Sequence, residues 1–356
     1  MEYIINHKRL KKKFQEDKIE EYFNKKSKII KFPTYSKNYF HFFNNYAKEH
    51  YQLIPNDCLC GHKNDIIFSQ SDRHCVSYLT VVCKNCGLIR AKDYYRDDDI
   101  SDFYKNFYRK SDFYEQASNE LTPASFFDLQ KKKSKFRFDL LEKYKKQEIK
   151  RLKIVDVGGG IGGVLDHFDV SNDKYLFDFN DPYLNFASTK KINTVKGGLD
   201  KINFKPDIII LSHVVEHWNN FDNEIQNLIR IQKKNHTLNY IEFPGVDSVN
   251  ERRDGDLLGD IHVPHVYYFA SYVFENIMNR YGFEKVYLDS FVRSIFIYTG
   301  KKSKLINYYD KCYKDLRSAE NTRRIRILKK ILNLRYVLKK ILPSFLINII
   351  KNFNRN

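Results

Sequence analysis

The amino-acid sequence predicts an α/β protein in which a mostly parallel sheet, completed by a final antiparallel strand, is covered by helices. Three observations support this prediction. Strand-like and helix-like segments alternate from residue 151 onward, glycines cluster directly after the first of these strands, and two pairs of cysteines lie between residues 58 and 86. The alternation determines the fold class, and the glycines and cysteines mark two candidate binding sites.

Three segments precede the alternating region. Residues 1–55 are polar and aromatic, and we expect a helical or irregular extension. Residues 56–90 contain the paired cysteines and two short β-rich runs, DIIFSQ and YLTVV, which favour a small ribbon. Residues 91–149 are expected to connect the ribbon to the sheet and to cap the substrate. They include a helix over 121–144, where apolar residues recur at helical spacing.

The alternating region is expected to span residues 150–300. Its strands are KIVDV, KYLFD, PDIIIL and NYIEF, and the continuous apolar run PDIIIL is typical of a buried central strand. The helix SYVFENIMNRY then leads to GFEKVYLDSF and RSIFIYTGK, two strands separated by a short turn. This last pair predicts an antiparallel addition to the sheet.

The net charge of +18 is concentrated at the carboxyl end of the sequence. Residues 301–356 contain sixteen basic residues against three acidic ones, which accounts for +13 of the total. Charge confined to one tail disfavours nucleic-acid binding by the rest of the chain. Ile and Leu alternate with Lys and Arg at near-helical spacing, which predicts an amphipathic helix for an anionic membrane surface or a partner protein.

No signal peptide or bilayer-spanning apolar run is recognisable in the sequence. We therefore expect a cytoplasmic protein, with the basic tail as a candidate for peripheral attachment to the membrane. Cysteines paired at close spacing in a reducing compartment indicate metal rather than disulfides.

The cysteine pairs predict one structural zinc ion. Cys83 and Cys86 form a regular CxxC knuckle, whereas Cys58 and Cys60 are separated by one residue only. The spacing between the two pairs is close to that of a zinc ribbon. Asp57 stands where a regular first knuckle has its first cysteine, so either Cys58 or Asp57 completes the four ligands.

The segment VDVGGGIGG, residues 155–163, follows the first strand of the alternating region. Residues without a side chain allow a tight turn and a close approach of the backbone to a ligand. Asp178 lies 22 residues after Asp156, at the end of the second strand, where a carboxylate can accept hydrogen bonds from ribose hydroxyls. The glycines and Asp178 together predict a cofactor that contains adenosine.

VDVGGGIGG resembles the first motif of class I S-adenosylmethionine-dependent methyltransferases, with Asp156 in the acidic position before the glycines. The similarity continues through YLFDFN, GGLDKI and DIIILSHVVEH. It implies a Rossmann-like sheet that binds S-adenosylmethionine, and a dinucleotide-binding domain is the alternative. The cofactor residues implied are Asp156, Gly158, Gly160, Gly162, Asp178, Leu199, Asp200, Ser212 and His213.

The segment HVVEH, residues 213–217, formally fits the HxxEH pattern of a zinc peptidase family. That pattern requires both histidines on one helix. Here the preceding residues form a predicted buried strand, so His213 is expected at a strand end beside the cofactor, as in similar HVLEH-type segments of the methyltransferase family. The sequence therefore argues against a peptidase.

A ribbon before a methyltransferase domain resembles the sugar C-methyltransferase group and its relatives in glycan biosynthesis. These enzymes carry an HEH-like motif before the last helix, where this chain has DIHVPHVYYF. His265 matches the second histidine, His262 falls where the family has a tyrosine, and Pro264 replaces the glutamate. The resemblance makes His265 the first candidate for the catalytic base and His262 the second.

The sequence thus predicts a methyltransferase that acts on a sugar, nucleotide-sugar or glycan intermediate of surface polysaccharide, by O- or C-methylation. An RNA methyltransferase is one alternative, although SHVVEH follows the PDIIIL strand in place of the Asn/Asp-Pro-Pro-Tyr/Phe motif of enzymes that methylate a base amino group. A scaffold that keeps the fold without catalysis is the other.

Overall fold

The computed structural model describes residues 43–74, 76–108, 122–145 and 149–332. Most of the amino-terminal extension, part of the connector and the end of the basic tail lie outside these residues. Within the described residues, no helix combines the length and the apolar character that crossing a membrane requires.

A seven-stranded sheet forms the centre of the molecule, and it confirms the predicted α/β class. Its strands are β6 (Lys153–Val157), β7 (Asp173–Asp178), β8 (Asn193–Lys196), β9 (Ile208–Ser212), β10 (Leu238–Glu242), β12 (Phe283–Leu288) and β13 (Arg293–Tyr298). Their order across the sheet is β12-β13-β10-β9-β6-β7-β8. The five strands from β10 to β8 are parallel, and β13 pairs antiparallel with both β10 and β12.

The helices described are α1 (43–50), α2 (Asp97–Asp102), α3 (Pro123–Tyr144), α4 (Asp181–Ser188), α5 (Phe221–Arg230), α6 (Val249–Arg253), α7 (Ser271–Arg280) and α8 (Tyr309–Leu332). Helix α3 begins where the Thr122 hydroxyl accepts a hydrogen bond from the Ser125 amide and Pro123 occupies the first turn. Helix α4 begins in the same way, with the Asn180 side chain accepting from the Tyr183 amide.

Two apolar clusters cover the two faces of the sheet. Because successive residues of a strand point to opposite faces, β9 contributes Ile208 and Ile210 to one cluster and Ile209 and Leu211 to the other. The first cluster packs against α3 and α4, and the second against α5 and α7. Burial on both faces explains why β9 has the uninterrupted apolar sequence IIIL.

The ribbon is built into the body of the protein. Strands β2 (Asp65–Ser71), β3 (Ser77–Cys83) and β4 (Ile89–Ala91) form an antiparallel sheet that is completed by β11 (Tyr267–Tyr268). Strands β1 (Leu53–Pro55) and β5 (Asp93–Tyr95) pair beside it. The ribbon sheet therefore includes a strand that lies almost two hundred residues further along the chain, which the expected boundary at residue 90 did not anticipate.

The first part of the basic tail also belongs to the body. Cys312, Leu316 and Ala319 of α8 are buried in the same cluster as the ribbon and the sheet. A Cβ atom at Gly255 would lie 2.1 Å from the Ala319 carbonyl oxygen, which shows how closely α8 packs. The first part of the predicted tail, residues 301–356, thus includes a helix that packs on the body, because α8 buries apolar surface that would otherwise be exposed.

Candidate functional site

The order of the central sheet places a crevice between β6 and β9. The chain runs outward from β6 to β7 and β8, then returns to the other side of β6 with β9 and β10. Ligands of such sheets bind beyond the carboxyl ends of the strands, at the point where the strand order reverses. Here the loops that follow β6 and β9 diverge at that point. The predicted cofactor residues all follow the carboxyl ends of these strands or lie within them, so the fold collects them at one edge.

Three glycines of the loop after β6 have positive φ angles, which residues with a side chain adopt only with strain. Gly158, Gly160 and Gly162 have φ of 64°, 62° and 83°. A Cβ atom at Gly159 would lie 2.0 Å from the Asp156 carboxylate, so this position is closed to side chains for a steric reason. The loop leads into a 3-10 turn, Gly163–His167, on which α3 packs directly.

Two acidic side chains flank the loop. The Asp178 carboxylate at the end of β7 accepts hydrogen bonds from the Gly160 amide at 2.9 Å and from the Asn180 amide at 2.8 Å. A carboxylate offers about four lone-pair positions, so these two backbone amides do not by themselves use up its acceptor capacity. Asp156 is buried beneath the loop. Burial raises its pKa to about 7 against the opposing charge of Arg137, and the charge of Asp178 adds to the rise.

Helix α3 supports the loop through a residue that the sequence analysis did not identify. The Gln130 side chain accepts from the Gly163 amide at 2.6 Å and donates to the Gly159 carbonyl at 2.9 Å. Gln130 lies on the same face of α3 as buried Phe127, Ser134 and Leu141. A glutamine on an otherwise buried helical face is the one signal in the sequence that could have revealed it.

The other predicted cofactor residues lie on neighbouring turns. Leu199 is buried in a 3-10 turn whose carbonyl groups accept from Arg230, and Asp200 is exposed and ion-paired with Lys201. This turn follows Gly197, whose amide donates to the Asp178 carbonyl at 3.1 Å. Ser212 ends β9.

His213 crosses from β9 towards β10. Its φ is 58°, and its amide donates to the Glu242 carbonyl at 2.7 Å. Its Nδ1 lies 3.3 Å from Glu216 Oε1, while the ring remains exposed. Burial alone lowers the pKa of His213, but the hydrogen bond and charge of Glu216, with the charge of Glu242, outweigh it and raise the pKa.

Glu242 at the end of β10 is also ion-paired. Arg137 Nε of α3 donates to Glu242 Oε2 at 2.6 Å, and the Tyr240 hydroxyl donates to the same oxygen at 2.6 Å. This ion pair attaches α3 to the carboxyl end of β10, in addition to its contact with the glycine loop. No sequence motif indicates this pair, because 105 residues separate its members.

The two candidate catalytic histidines lie in a row of imidazoles. The ring of His262 is 5.5 Å from His74 of the ribbon and 5.4 Å from His265, and His265 is 4.6 Å from His217. Burial, followed by neighbouring positive charge, holds the pKa of both His262 and His265 well below the usual value. The ribbon therefore brings its own histidine to the side of the crevice, which no sequence spacing indicates.

The four cysteines of the ribbon form one cluster. Cys58 Sγ lies 3.4 Å from Cys86 and from Cys60, and Cys60 lies 3.6 Å from Cys83. These separations are far too long for disulfides and close to the roughly 3.8 Å between thiolates that share a tetrahedral zinc ion. Cys58 belongs to this cluster, whereas Asp57 is exposed and ion-paired with Lys63 at 3.2 Å, so the geometry favours Cys58 over Asp57 as the fourth candidate ligand.

Electrostatics within the cluster also suit a cation. The contact with Cys58 is the main cause that lowers the pKa of Cys60 to about 7, and it also lowers the pKa of Cys83. Hydrogen bonds within the cluster, together with burial, raise the pKa values of Cys58 and Cys86. Thiols that share protons in this way are ready to exchange them for a metal ion.

Comparison with known proteins gives one family. Residues 127–288 match the family model described as a methyltransferase domain. The magnesium protoporphyrin IX methyltransferase of Synechocystis PCC 6803 is 14% identical, with a TM-score of 0.39 over 56% of this chain and 98% of that chain. An S-adenosylmethionine-dependent methyltransferase of Aquifex aeolicus is 16% identical, with a TM-score of 0.36 over 50% and 97%. A search of curated proteins gives no match. The family match supports a methyltransferase domain over these residues.

Proposed function

We propose that the chain transfers a methyl group from S-adenosylmethionine to a hydroxyl group of a sugar, nucleotide sugar or glycan intermediate. The observation that carries this proposal is the meeting of two features at one edge of the sheet: the glycine loop backed by Asp178, and the exposed His213 imidazole oriented by Glu216. The first binds a ribose-containing cofactor, and the second accepts a proton.

Different residues would bind different parts of the cofactor. Asp178 would accept from the ribose hydroxyls, and the glycine loop would admit the methionine portion without steric hindrance. The turn at Leu199 and Asp200 is held against the end of β7 and would border the adenine. S-adenosylmethionine, when bound, supplies an activated methyl group on a sulfonium.

His213 is better suited than the sequence candidates to take the proton of the acceptor hydroxyl. A general base needs access to the substrate and a pKa near the working pH. His213 is exposed and its pKa is raised by Glu216, whereas the pKa values of His262 and His265 are held low. The carboxylate on Nδ1 also orients the ring so that Nε2 faces away from Glu216, as in other histidine–carboxylate pairs.

The sugar class rests on the resemblance of the ribbon and of the HVPH segment to sugar methyltransferases. The same proposal places the enzyme in surface-polysaccharide biosynthesis. The RNA alternative lacks a basic catalytic face, because most of the net charge lies beyond residue 300.

Titration calorimetry tests the cofactor half of this proposal. Asp178→Ala should weaken S-adenosylmethionine binding at least tenfold, whereas Asp181→Ala, which removes an exposed carboxyl three residues away, should leave it unchanged. Equal affinities in the two variants, or a preference of the parent protein for NAD, would contradict the assignment.

Transfer of a labelled methyl group tests the acceptor half. Nucleotide sugars and ribosomal RNA should be offered in parallel, with His213→Asn as the variant that lacks the base. Label on a sugar that falls at least a hundredfold in His213→Asn supports the proposal. Label on RNA alone would favour the alternative.

A further inference from the structure

A cluster of potential ligands remains beside the proposed base. Glu216 and His217 lie on the turn after β9, and His265 lies on the loop before β11. One ligand atom from each of these residues lies within 4.8 Å of the others. The Val266 amide donates to the Glu216 carbonyl at 2.8 Å, so the two loops are joined at this point.

The backbone determines which nitrogen of His217 is available. His217 Nδ1 lies 2.9 Å from the Pro264 carbonyl oxygen. A carbonyl oxygen only accepts hydrogen bonds, so Nδ1 must carry the proton and Nε2 keeps its lone pair. A carbonyl group behind one ring nitrogen is the usual support for a histidine that binds metal through the other.

Glu216 provides an independent indication of a ligand. Its side chain is 2% exposed, and its Oε2 atom has no hydrogen-bond partner among the described residues. Its other oxygen, Oε1, is the one that contacts His213. An unsatisfied buried carboxylate oxygen is costly, and a cation satisfies it directly.

We propose that Glu216, His217 and His265 bind one divalent transition-metal ion. Two imidazoles and one carboxylate are a donor set that such ions favour and that leaves coordination positions open. This proposal deepens the proposed function and rests on it for its purpose: an open position would hold the acceptor oxygen of the sugar. His265 then acts as a ligand rather than as a base.

The neighbouring cluster of Asp72, His74 and His262 is less suited to a cation. Arg73 Nε donates to His74 Nε2 at 3.1 Å, so a positive charge stands directly beside this cluster and opposes a cation there. In the first cluster, the hydrogen bond to Pro264 instead leaves the opposite nitrogen of His217 accessible.

Cobalt titration of protein purified with its own zinc tests the site without relying on activity. Co²⁺ bound by imidazole and carboxylate should give a weak visible d–d spectrum that saturates at about one equivalent. Binding to the cysteines would instead give intense thiolate charge-transfer bands, so the two sites are distinguishable. His217→Ala and His265→Ala should abolish the weak spectrum, and Glu216→Gln should weaken Co²⁺ binding at least tenfold.

His236→Ala is the matched control, because His236 is exposed on a turn away from the cluster and should not affect the spectrum. Calorimetric binding of S-adenosylmethionine verifies that each variant is folded. Absence of a saturable weak spectrum in the parent, or its persistence in His217→Ala, would overturn the metal site. If the parent protein transfers methyl groups but does not bind Co²⁺, the metal site is wrong and the proposed function stands. If it binds Co²⁺ but not S-adenosylmethionine, the proposed function is wrong and the metal site stands.

Discussion

Asp156 shows how one buried carboxyl links the stability of the fold to pH. It lies beneath the glycine loop with its carboxylate against the backbone of Gly159. Its pKa rises from 3.8 to about 7, so the folded protein retains a proton that the unfolded chain releases over this range. Stability from this group is therefore present at low pH and is lost as the pH rises from about 4 to about 7.

Asp156→Asn should flatten the dependence of the free energy of unfolding on pH in that window. The slope of the parent should be more negative than that of the variant by up to about 1.4 kcal/mol per pH unit, since one proton is involved. Denaturant unfolding at several pH values measures it. Asp128→Asn, at an exposed position on α3, should keep the parent slope. Identical slopes for the parent and Asp156→Asn would show that Asp156 is ionised in the folded protein.

Gln130→Leu tests whether α3 supports the glycine loop. The variant loses two hydrogen bonds to loop backbone and should bind S-adenosylmethionine about tenfold more weakly, because an unsatisfied amide costs about 1–3 kcal/mol. Calorimetry gives the affinity. Lys132→Ala, on the exposed face of the same helix, serves as the control. Unchanged affinity in Gln130→Leu would mean that the loop holds its conformation unaided.

At the scale of elements, the ribbon depends on its cysteine cluster. Elemental analysis of the purified protein should find about one zinc ion at the cysteines of each chain. Cys83→Ser should lose it and lower the free energy of unfolding, because the ion would join the knuckle before β2 to the knuckle at the end of β3, where Asp65 pairs with Cys83. Asp57→Ala should retain it, since the Asp57 carboxylate contacts Lys63 on the surface. Retention in Cys83→Ser, or loss in Asp57→Ala, would contradict the four-cysteine site.

The strands of the central sheet illustrate what pattern can predict at this scale. The sequence predicted four of the strands, β6, β7, β9 and β10, because apolar runs of this length are typical of buried strands. The edge strand β8, with the sequence NTVK, was not expected, because only its pairing with β7 makes it a strand. β11 is two residues long and exists only through its partner β4.

At the scale of the whole molecule, α8 tests where the body ends. Leu316→Ala should lower the free energy of unfolding by about 2–5 kcal/mol, because Leu316 is buried against the ribbon and the sheet. Leu328→Ala, on the same helix but 55% exposed, should change it by less than about 0.5 kcal/mol. Denaturant unfolding of both variants decides the matter. Equal effects would mean that α8 does not pack on the body in solution.

The proposed attachment to an anionic membrane surface depends on the basic tail. Residues 333–356 of this tail lie outside the residues that the structure describes. A variant that ends at residue 332 keeps the buried Glu320–Arg323 ion pair and should bind S-adenosylmethionine normally. It should no longer bind anionic vesicles, because it lacks five basic residues and the apolar run LPSFLINII. Vesicle sedimentation at low and high salt measures this. Undiminished binding would exclude these residues as the anchor.

The sequence alone determined the class of sheet, the glycine loop with Asp178, and the pairing of the cysteines into a candidate metal site. These features are local, since each arises from the periodicity of one segment or from the spacing of one motif. Tertiary structure decided the rest. Glu216 and His217 meet His265, and His74 meets His262, because β11 joins the ribbon sheet. Gln130 and Arg137 reach the strand ends because α3 packs across them. Contacts between residues far apart in the chain depend on the packing of whole elements, which no single segment encodes.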